Sequence, residues 1–440
     1  MSMELIAISM FLILVIFLFM GHPLAFVLGG VGFLYGIIFL GPSFIGIFMD
    51  RILDQQNNFV LVAITLFILM GNFLTESGLA DGLFESMRYL FGPVRGGLGI
   101  AVIVVCILFA ACTGIVGASV VTMAMLGAPV LLKYGYQKEL TMGMIAAGGS
   151  LGILIPPSIM LVIMGDQAGL LVGKLLLGAF IPGVSMGILY VLYIAIACFI
   201  KPELGPAIPA AELAKVPVPK RISGALINAF PPLLLIFAVL GSIFTGIATP
   251  TEASGVGAFI AFLMMIIYGK FSWSTLYKII IQTGKTTTMV MVILIGATCF
   301  TAVFLGMGGG KALVSGIMGL SSSKWVIYAI MMIILMILGC FIDWVGIVLI
   351  VLPIYMPVAH ALGFDPIWFV MMMAVNLQMS FLTPPFGYAL FYLASLKFEG
   401  VTLAHIYRGV VPFLIIQAFG LVICTMFPIL TLWLPSMMNK

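Results

Sequence analysis

Residues 148–157 read GGSLGILIPP, and 228 positions further along the chain residues 376–385 read NLQMSFLTPP. The same constant shift relates other anchors without a gap: Cys112 to Cys340, Pro129 to Pro357 and Gly135 to Gly363. Glycine and proline at matching positions interrupt a helix in both copies. An internal duplication of this kind predicts a secondary transporter whose binding site lies where the two copies meet.

Composition decides which solvent surrounds the chain. Of its 440 residues, 63% are hydrophobic and only 7% are charged, so lipid must cover most of its surface. We therefore expect an all-α integral membrane protein. The net charge of +4 is spread over short loops, which excludes nucleic acid as a partner. Six scattered cysteines and three isolated histidines predict neither a disulfide framework nor a metal centre.

Hydropathy divides the chain into simple spans and interrupted segments. Simple spanning segments are predicted at 4–21, 23–41, 57–77, 174–200, 222–246, 252–269, 286–307 and 404–434. Three stretches mix charge with helical apolar spacing and are predicted to lie at the membrane surface: 44–55, 80–92 and 271–283.

Each copy of the duplicated unit predicts a re-entrant hairpin followed by a broken helix. Both outer ends of 97–133 carry cations, so this segment is predicted to enter and leave the membrane on one side. Its tip is expected from Cys112 to Ser119. A broken helix is expected to follow at 139–166, with interruptions at 148–152 and 156–157. The second copy gives a hairpin at 324–362 with its tip from Cys340 to Gly346, then a broken helix at 366–396 interrupted from Asn376 to Pro385.

The distribution of cations predicts the orientation in the membrane. One side holds 13 of the 18 Lys and Arg residues, in loops 78–96, 133–139, 201–221, 270–285 and 397–408. That side is predicted to be the cytoplasm, and both termini then lie in the periplasm. The first hairpin opens from the cytoplasm and the second from the periplasm, as an inverted repeat requires.

The helix breaks offer oxygen atoms to a hard cation such as sodium, and free N–H groups to an anion. In the first copy the candidates are the hydroxyls of Thr113, Ser119 and Ser150 with carbonyls from Gly149 to Pro157. In the second copy they are Asp343, Asn376, Ser380 and Thr383, with carbonyls around Gly346 and Phe386. A hydroxyl bonded to its own helix is the ordinary alternative for each single Ser or Thr. Their clustering at paired breaks favours a site.

Among the candidates, Asp343 costs the most free energy to place in the membrane, because an ionised carboxylate in a bilayer needs a partner or a cavity. It stands beside Trp344 at a predicted hairpin tip. Two roles stay open for it: a cation ligand or proton-coupling acid, and a cap at the start of a half-helix. We favour a role at the tip that combines capping with cation balance.

Three motifs carry a family resemblance. The stretch 108–119 reads LFAACTGIVGAS, 149–158 reads GSLGILIPPS and 381–387 reads FLTPPFG. These resemble the large membrane subunit of tripartite ATP-independent periplasmic (TRAP) transporters, and the resemblance covers essentially the whole chain. Many members have Ser-Gly-Ser at the first tip, where this chain has Thr113-Gly114-Ile115, so only the backbone of the third residue can serve there.

The resemblance implies a sodium-coupled importer of organic anions that works as an elevator. It implies one sodium site at Thr113, Ser119, Gly152, Ile155 and Pro157, and a second at Asp343, Gly346, Ser380, Thr383 and Phe386. The anion is expected between the tips, with substrate-binding residues Thr113, Ser150, Ser158, Asp343, Asn376 and Gln378. No Arg or Lys lies at either break, so half-helix N-termini such as that at Ser158, together with bound sodium, are expected to meet the substrate charge.

The same resemblance divides the chain into static and moving parts. We expect scaffold helices at 1–96 and 174–200, a cytoplasmic linker at 201–221, scaffold and arm helices at 222–323, and a scaffold helix at 404–440. The transport domain is expected at 97–173 and 324–403.

Partners follow from the resemblance as well. It implies a periplasmic substrate-binding protein and a small four-helix membrane subunit, expected as a separate chain because Met1 leads straight into the first span. The resemblance also implies that the protein lies in the bacterial inner membrane. The substrate is expected to be a keto acid, a hydroxy or dicarboxylic acid, or a sulfonate. A stand-alone dicarboxylate symporter driven by sodium or protons is the alternative, and an enzyme is disfavoured because the spans carry no paired catalytic set.

Overall fold

The computed structural model describes residues 3–114, 116–319, 321, 323–384 and 387–438, and over these residues the chain is helical with no strand. Its first part contains α1 Met3–Phe19, α2 Leu24–Tyr35, α3 Phe44–Gln56, α4 Val60–Glu76, α5 Leu79–Phe91, α6 Gly97–Thr113, α7 Val116–Lys133, α8 Lys138–Ser150, α9 Ile159–Ala168 and α10 Val172–Ile200. The rest contains α11 Ala210–Leu213, α12 Val218–Phe244, α13 Pro250–Ile267, α14 Trp273–Gly306, α15 Gly309–Met318, α16 Lys324–Gly339, α17 Trp344–Ala361, α18 Pro366–Ser380, α19 Tyr388–Ser395, α20 Leu403–Met426 and α21 Ile429–Met437.

The helices agree with the expected membrane protein. Seven of the described helices are long and apolar enough to cross a bilayer, and α3 with α4 forms an eighth candidate that bends by 49° between them. Both hairpins are present as helix pairs in contact, α6 with α7 and α16 with α17. Their ends match the predicted bounds within one residue.

The helix breaks lie later than the glycines suggested. Helix α8 continues through Gly148 and Gly149 to Ser150, and the chain then leaves the α-helix from Leu151 to Ser158. Both glycines instead allow close packing, because a Cβ on Gly148 would lie 2.8 Å from Sγ of Cys106 and one on Gly149 would overlap Val120.

The second break is shifted in the same way. Helix α18 runs through Asn376 and Gln378 and ends at Ser380, so the prediction of a break from Asn376 was wrong. A helix can contain amides when neighbouring helices cover them, and both side chains are buried here. Pro385 and Phe386 lie outside the described residues.

Two spans also differ from their predictions. The proposed surface segment 271–283 and span 286–307 form one continuous helix, α14, about 50 Å long by its helical rise. This length exceeds a hydrocarbon core of about 30 Å, so its charged first turns can lie beyond the lipid. The predicted last span is divided into α20 and α21, because Pro428 follows Phe427 and cannot continue the helix.

The two copies of the duplicated unit pack against each other. The second arm of each hairpin packs against the second half of the other copy's broken helix, α7 against α19 and α17 against α9. The first halves of the broken helices pack on helices outside the duplicated segments, α8 on α20 and α18 on both α20 and α10. The duplicated segments therefore build one interlocked body rather than two separate units.

The linker 201–221 is fastened to the base of the first hairpin. The backbone amides of Gly96 and Gln137 donate to the carbonyls of Gly205 and Leu204, at 2.8 and 3.0 Å. The Tyr134 hydroxyl donates to Glu212 on α11. Burial and this acidic partner raise the pKa of Tyr134 to about 12, so the phenol keeps its proton at neutral pH.

Candidate functional site

A cavity of about 990 Å³ lies where the two hairpin tips approach each other. Its wall includes Gly114 and Val116 to Ala118 of the first tip, and Asp343 to Val345 of the second. Ile153 from the first break and Phe381 from the second also reach it. Helices α2, α4 and α14 form the opposite wall. The cavity thus joins both copies of the duplicated unit.

The first tip is shaped by a glycine and two hydroxyls. Gly114 adopts φ +62°, a left-handed conformation that favours glycine, and a Cβ there would lie 3.1 Å from the carbonyl of Pro157. The buried hydroxyls of Thr113 and Ser119 lie 2.8 Å apart in a hydrogen bond. The carbonyl of Thr113 faces Gly71 of α4, where a Cβ would be 2.5 Å away. The tip therefore touches both the first break and α4.

The first break ends in a capped half-helix. Ser158 is the N-cap of α9, since its Oγ accepts from the amide of Leu161 at 3.4 Å and donates to the carbonyl of Ile153. The next residue, Ile159, lines the cavity, so the start of α9 adjoins it. Ser150 donates to the carbonyl of Ala147 in its own helix at 2.8 Å.

The second tip is capped by Asp343. Its carboxylate accepts from the amide of Val345 at 3.4 Å, at the start of α17, and it lines the cavity. The structure thus shows the capping role and places the same carboxylate on the cavity wall. Gly346 lies in the first turn of α17 against Leu24 of α2. Its carbonyl belongs to the helical ladder, so its second lone pair is what a cation could use.

The second break presents two hydroxyls that use their own helix. Ser380 donates to the carbonyl of Leu377 at 2.5 Å, and Thr383 donates to that of Met379 at 2.8 Å. These bonds occupy the protons and leave the lone pairs of both oxygens available. The end of α16 touches this break, because a Cβ on Gly339 would overlap the side chain of Ser380.

Four predicted substrate residues lie behind the cavity wall in this conformation: Ser150, Ser158, Asn376 and Gln378. Asn376 connects α18 to α16, since its amide donates to the carbonyl of Met332 at 2.6 Å. Both polar atoms of the buried Gln378 side chain have no hydrogen-bond partner among the described residues. Of the predicted anion-binding residues, Asp343 lines the cavity and Thr113 precedes a lining residue.

The opposite wall carries polar residues that the sequence interpretation missed. They are Asn72, Thr75 and Glu76 on α4, and Lys278, Gln282 and Thr286 on α14. Nζ of Lys278 lies 2.7 Å from Oε1 of Glu76. A signal was present, because residues 278, 282 and 286 recur every four positions along one helix face. Treating 271–283 and 286–307 as separate segments concealed it.

Comparison with known proteins agrees with this architecture. Residues 11–430 match the family described as the tripartite ATP-independent periplasmic transporter, DctM component. A C4-dicarboxylate TRAP transporter large permease protein from Pseudomonas aeruginosa is 33% identical over 91% of this chain and 92% of its own length. A protein of the same description from Vibrio cholerae is 30% identical over 98% of both chains.

A solved structure shares the fold at low sequence identity. The crystal structure of the Alcanivorax borkumensis YdaH transporter superimposes with a TM-score of 0.63, at 16% identity, over 90% of this chain and 88% of that one. The likeness concerns the fold alone. With the family match over nearly the whole chain, this protein belongs to the DctM component family of TRAP transporters, which are membrane permeases and not enzymes.

Proposed function

We propose that this chain imports a small organic anion, coupled to sodium, through the cavity between the hairpin tips. The observation that carries the proposal is that one cavity is lined by both tips and by both helix breaks. In a duplicated transporter this is where substrate and coupling ions meet.

Two sodium ions are proposed to bind at the tips and breaks. The first site would use Thr113, Ser119, Gly152, Ile155 and Pro157, and the second Asp343, Gly346, Ser380, Thr383 and Phe386. The contact of Gly114 with the Pro157 carbonyl supports the first site, because it brings the hydroxyl pair to the break. The free lone pairs of Ser380 and Thr383 support the second.

The proposed movement is an elevator with an inverted repeat. The exchange of partners between α7, α9, α17 and α19 supports a single moving body made of 97–173 and 324–403. The excess of Lys and Arg in five loops supports cytoplasmic ends for the first hairpin and periplasmic termini.

The proposed partners are those of a tripartite system. A periplasmic binding protein would deliver the anion, and a small four-helix membrane subunit would complete the permease in the bacterial inner membrane. The family description, which is that of one component of a periplasmic transporter, supports both partners.

The proposed substrate is a keto acid, a hydroxy or dicarboxylic acid, or a sulfonate. The names of the Pseudomonas and Vibrio relatives favour a C4-dicarboxylate within this set. The alternative is a stand-alone dicarboxylate symporter that needs no binding protein.

Uptake by proteoliposomes tests these proposals. The chain with its small subunit is assayed with and without an inward sodium gradient, and with and without the binding protein, across succinate, pyruvate and isethionate. Uptake that needs both sodium and the binding protein is expected. Uptake that needs sodium alone would favour the stand-alone symporter, and uptake without a gradient would contradict coupling.

A further inference from the structure

One cation faces the cavity between the tips. Lys278 is the single Lys or Arg among the described residues of its wall, and it pairs with Glu76 across the gap between α14 and α4. One turn further along α14, Gln282 lines the same cavity. The wall opposite the tips therefore offers an ammonium group followed by uncharged polar groups.

The ion pair is open to competition. The side chain of Lys278 is 65% exposed and that of Glu76 is 31% exposed. An ion pair in such a setting adds little net stability. A carboxylate that enters the cavity can replace Glu76 as the partner of Lys278 at small cost, since it supplies the same charge and the same acceptor oxygens.

The pair lies at one end of the cavity wall. Glu76 ends α4, whereas Asn58 precedes its start, about 24 Å away by the helical rise. At that far end Nδ2 of Asn58 donates to Oδ1 of Asp166 at 2.6 Å and joins α4 to the end of α9. The α4 residues that line the cavity run from Ile68 to Glu76, so the cavity lies toward the end of α4 that carries the ion pair. The proposed orientation places that end at the cytoplasm.

We propose that Lys278 is a release subsite for the carboxylate or sulfonate group of the transported anion, and that Glu76 competes with the anion for it. This proposal rests on the proposed function. On its way out the anion pairs with Lys278, and the return of Glu76 displaces it. Without Glu76 the ammonium would hold the anion longer. Without Lys278 the charged groups left on the described part of the wall are the carboxylates of Glu76 and Asp343, which repel the anion.

Binding of succinate to the purified complex of this chain and its small subunit tests the subsite. The assay is run in sodium without the binding protein, by calorimetry. Lys278→Gln is expected to weaken binding about fivefold, and Glu76→Gln to strengthen it about twofold. Lys285→Gln, on the same helix but outside the cavity wall, is the matched control and is expected to change nothing. If the pair only joins α4 to α14, both variants shift binding in the same direction, which would overturn the proposal.

A second readout does not depend on the identity of the substrate. Gln282→Cys is labelled with methanethiosulfonate reagents that carry either an ethylsulfonate or a trimethylammonium group. The six native cysteines are all buried, so they should contribute little background labelling. Lys278→Gln is expected to lower the ratio of anionic to cationic labelling, and Glu76→Gln to raise it. An unchanged ratio, or an equal change with Lys285→Gln, would overturn the subsite. Failure of the unmodified complex to bind succinate would count against a C4-dicarboxylate substrate, and the labelling ratio would still show whether Lys278 attracts an anion to the cavity wall.

Discussion

Each hydroxyl at the tips and breaks can donate its proton to a carbonyl and still offer its oxygen to a cation. In Ser380 and Thr383 the proton is given to a carbonyl one turn back, which is the ordinary behaviour of Ser and Thr in an apolar helix. That bond also fixes the direction of the oxygen lone pairs. A side chain can therefore satisfy its own helix and remain a ligand for a hard cation.

Removal of these hydroxyls should weaken sodium binding. Ser119→Ala and Thr383→Ala are each expected to raise the sodium concentration for half-maximal uptake about threefold to tenfold, because one of the few oxygen ligands is lost. Sodium titrations of uptake measure the effect. Ser223→Ala is the control, since Ser223 is exposed and its hydroxyl donates to the carbonyl of Lys220 at the start of α12. Unchanged sodium dependence in both variants would refute the site assignments.

Asp343 combines a cap with a charge at the cavity wall. Asn is as good a cap as Asp, so Asp343→Asn should preserve α17 and the unfolding temperature. We expect it to lose sodium-dependent uptake, because the negative charge that would balance the cation is removed. Uptake with normal sodium dependence in a well-folded variant would limit Asp343 to capping.

At the scale of elements, one packing contact depends on a matched pair of residues. In the second copy Gly339 of α16 makes room for Ser380 at the break. The constant shift of 228 makes Ala111 and Gly152 the corresponding positions of the first copy, so the residue without a side chain stands on the other partner. The hairpin and its break must therefore be matched as a pair.

A compensating double variant tests this match. Gly339→Ala should lower stability by about 1–3 kcal/mol, because its Cβ overlaps Ser380. Adding Ser380→Gly should recover most of that loss in thermal unfolding, while sodium dependence stays impaired without the hydroxyl. Gly241→Ala is the control, since no described residue lies within 4 Å of a Cβ there. No recovery in the double variant would contradict the matched packing.

At the scale of the whole molecule, several polar contacts join the moving and static parts proposed above. The bond from Asn58 to Asp166 joins α4, in the proposed scaffold, to α9, in the proposed transport domain. An elevator movement of the proposed transport domain would break it, because the proposal assigns the two elements to different bodies.

Cross-linking across this contact should therefore arrest transport. Asn58→Cys with Asp166→Cys, joined by a short bis-methanethiosulfonate linker, is expected to abolish uptake, and a reducing agent is expected to restore it. The unmodified chain, with its buried cysteines, and each single variant are the controls. Full uptake by the cross-linked protein would show that the contact persists during transport.

The sequence alone determined the helical membrane class, the two hairpins and the existence of paired breaks. These features can be read directly from the sequence, as its apolar composition, the constant shift of 228 and the paired prolines. In lipid the backbone must satisfy its own hydrogen bonds, which favours helices. The family follows from the same motifs, since Pro156-Pro157 and Pro384-Pro385 stand in matching surroundings.

Tertiary structure alone decided which polar groups share the cavity. Glycines 148 and 149 looked like helix breakers, but packing against Cys106 and Val120 keeps them helical. Asn376 and Gln378 looked like ligands, yet α18 holds them behind the wall. Lys278 and Glu76, 202 positions apart, meet because α4 and α14 lie side by side. Contacts between distant segments depend on which helices pack together, and the hydropathy pattern of a single sequence does not specify this.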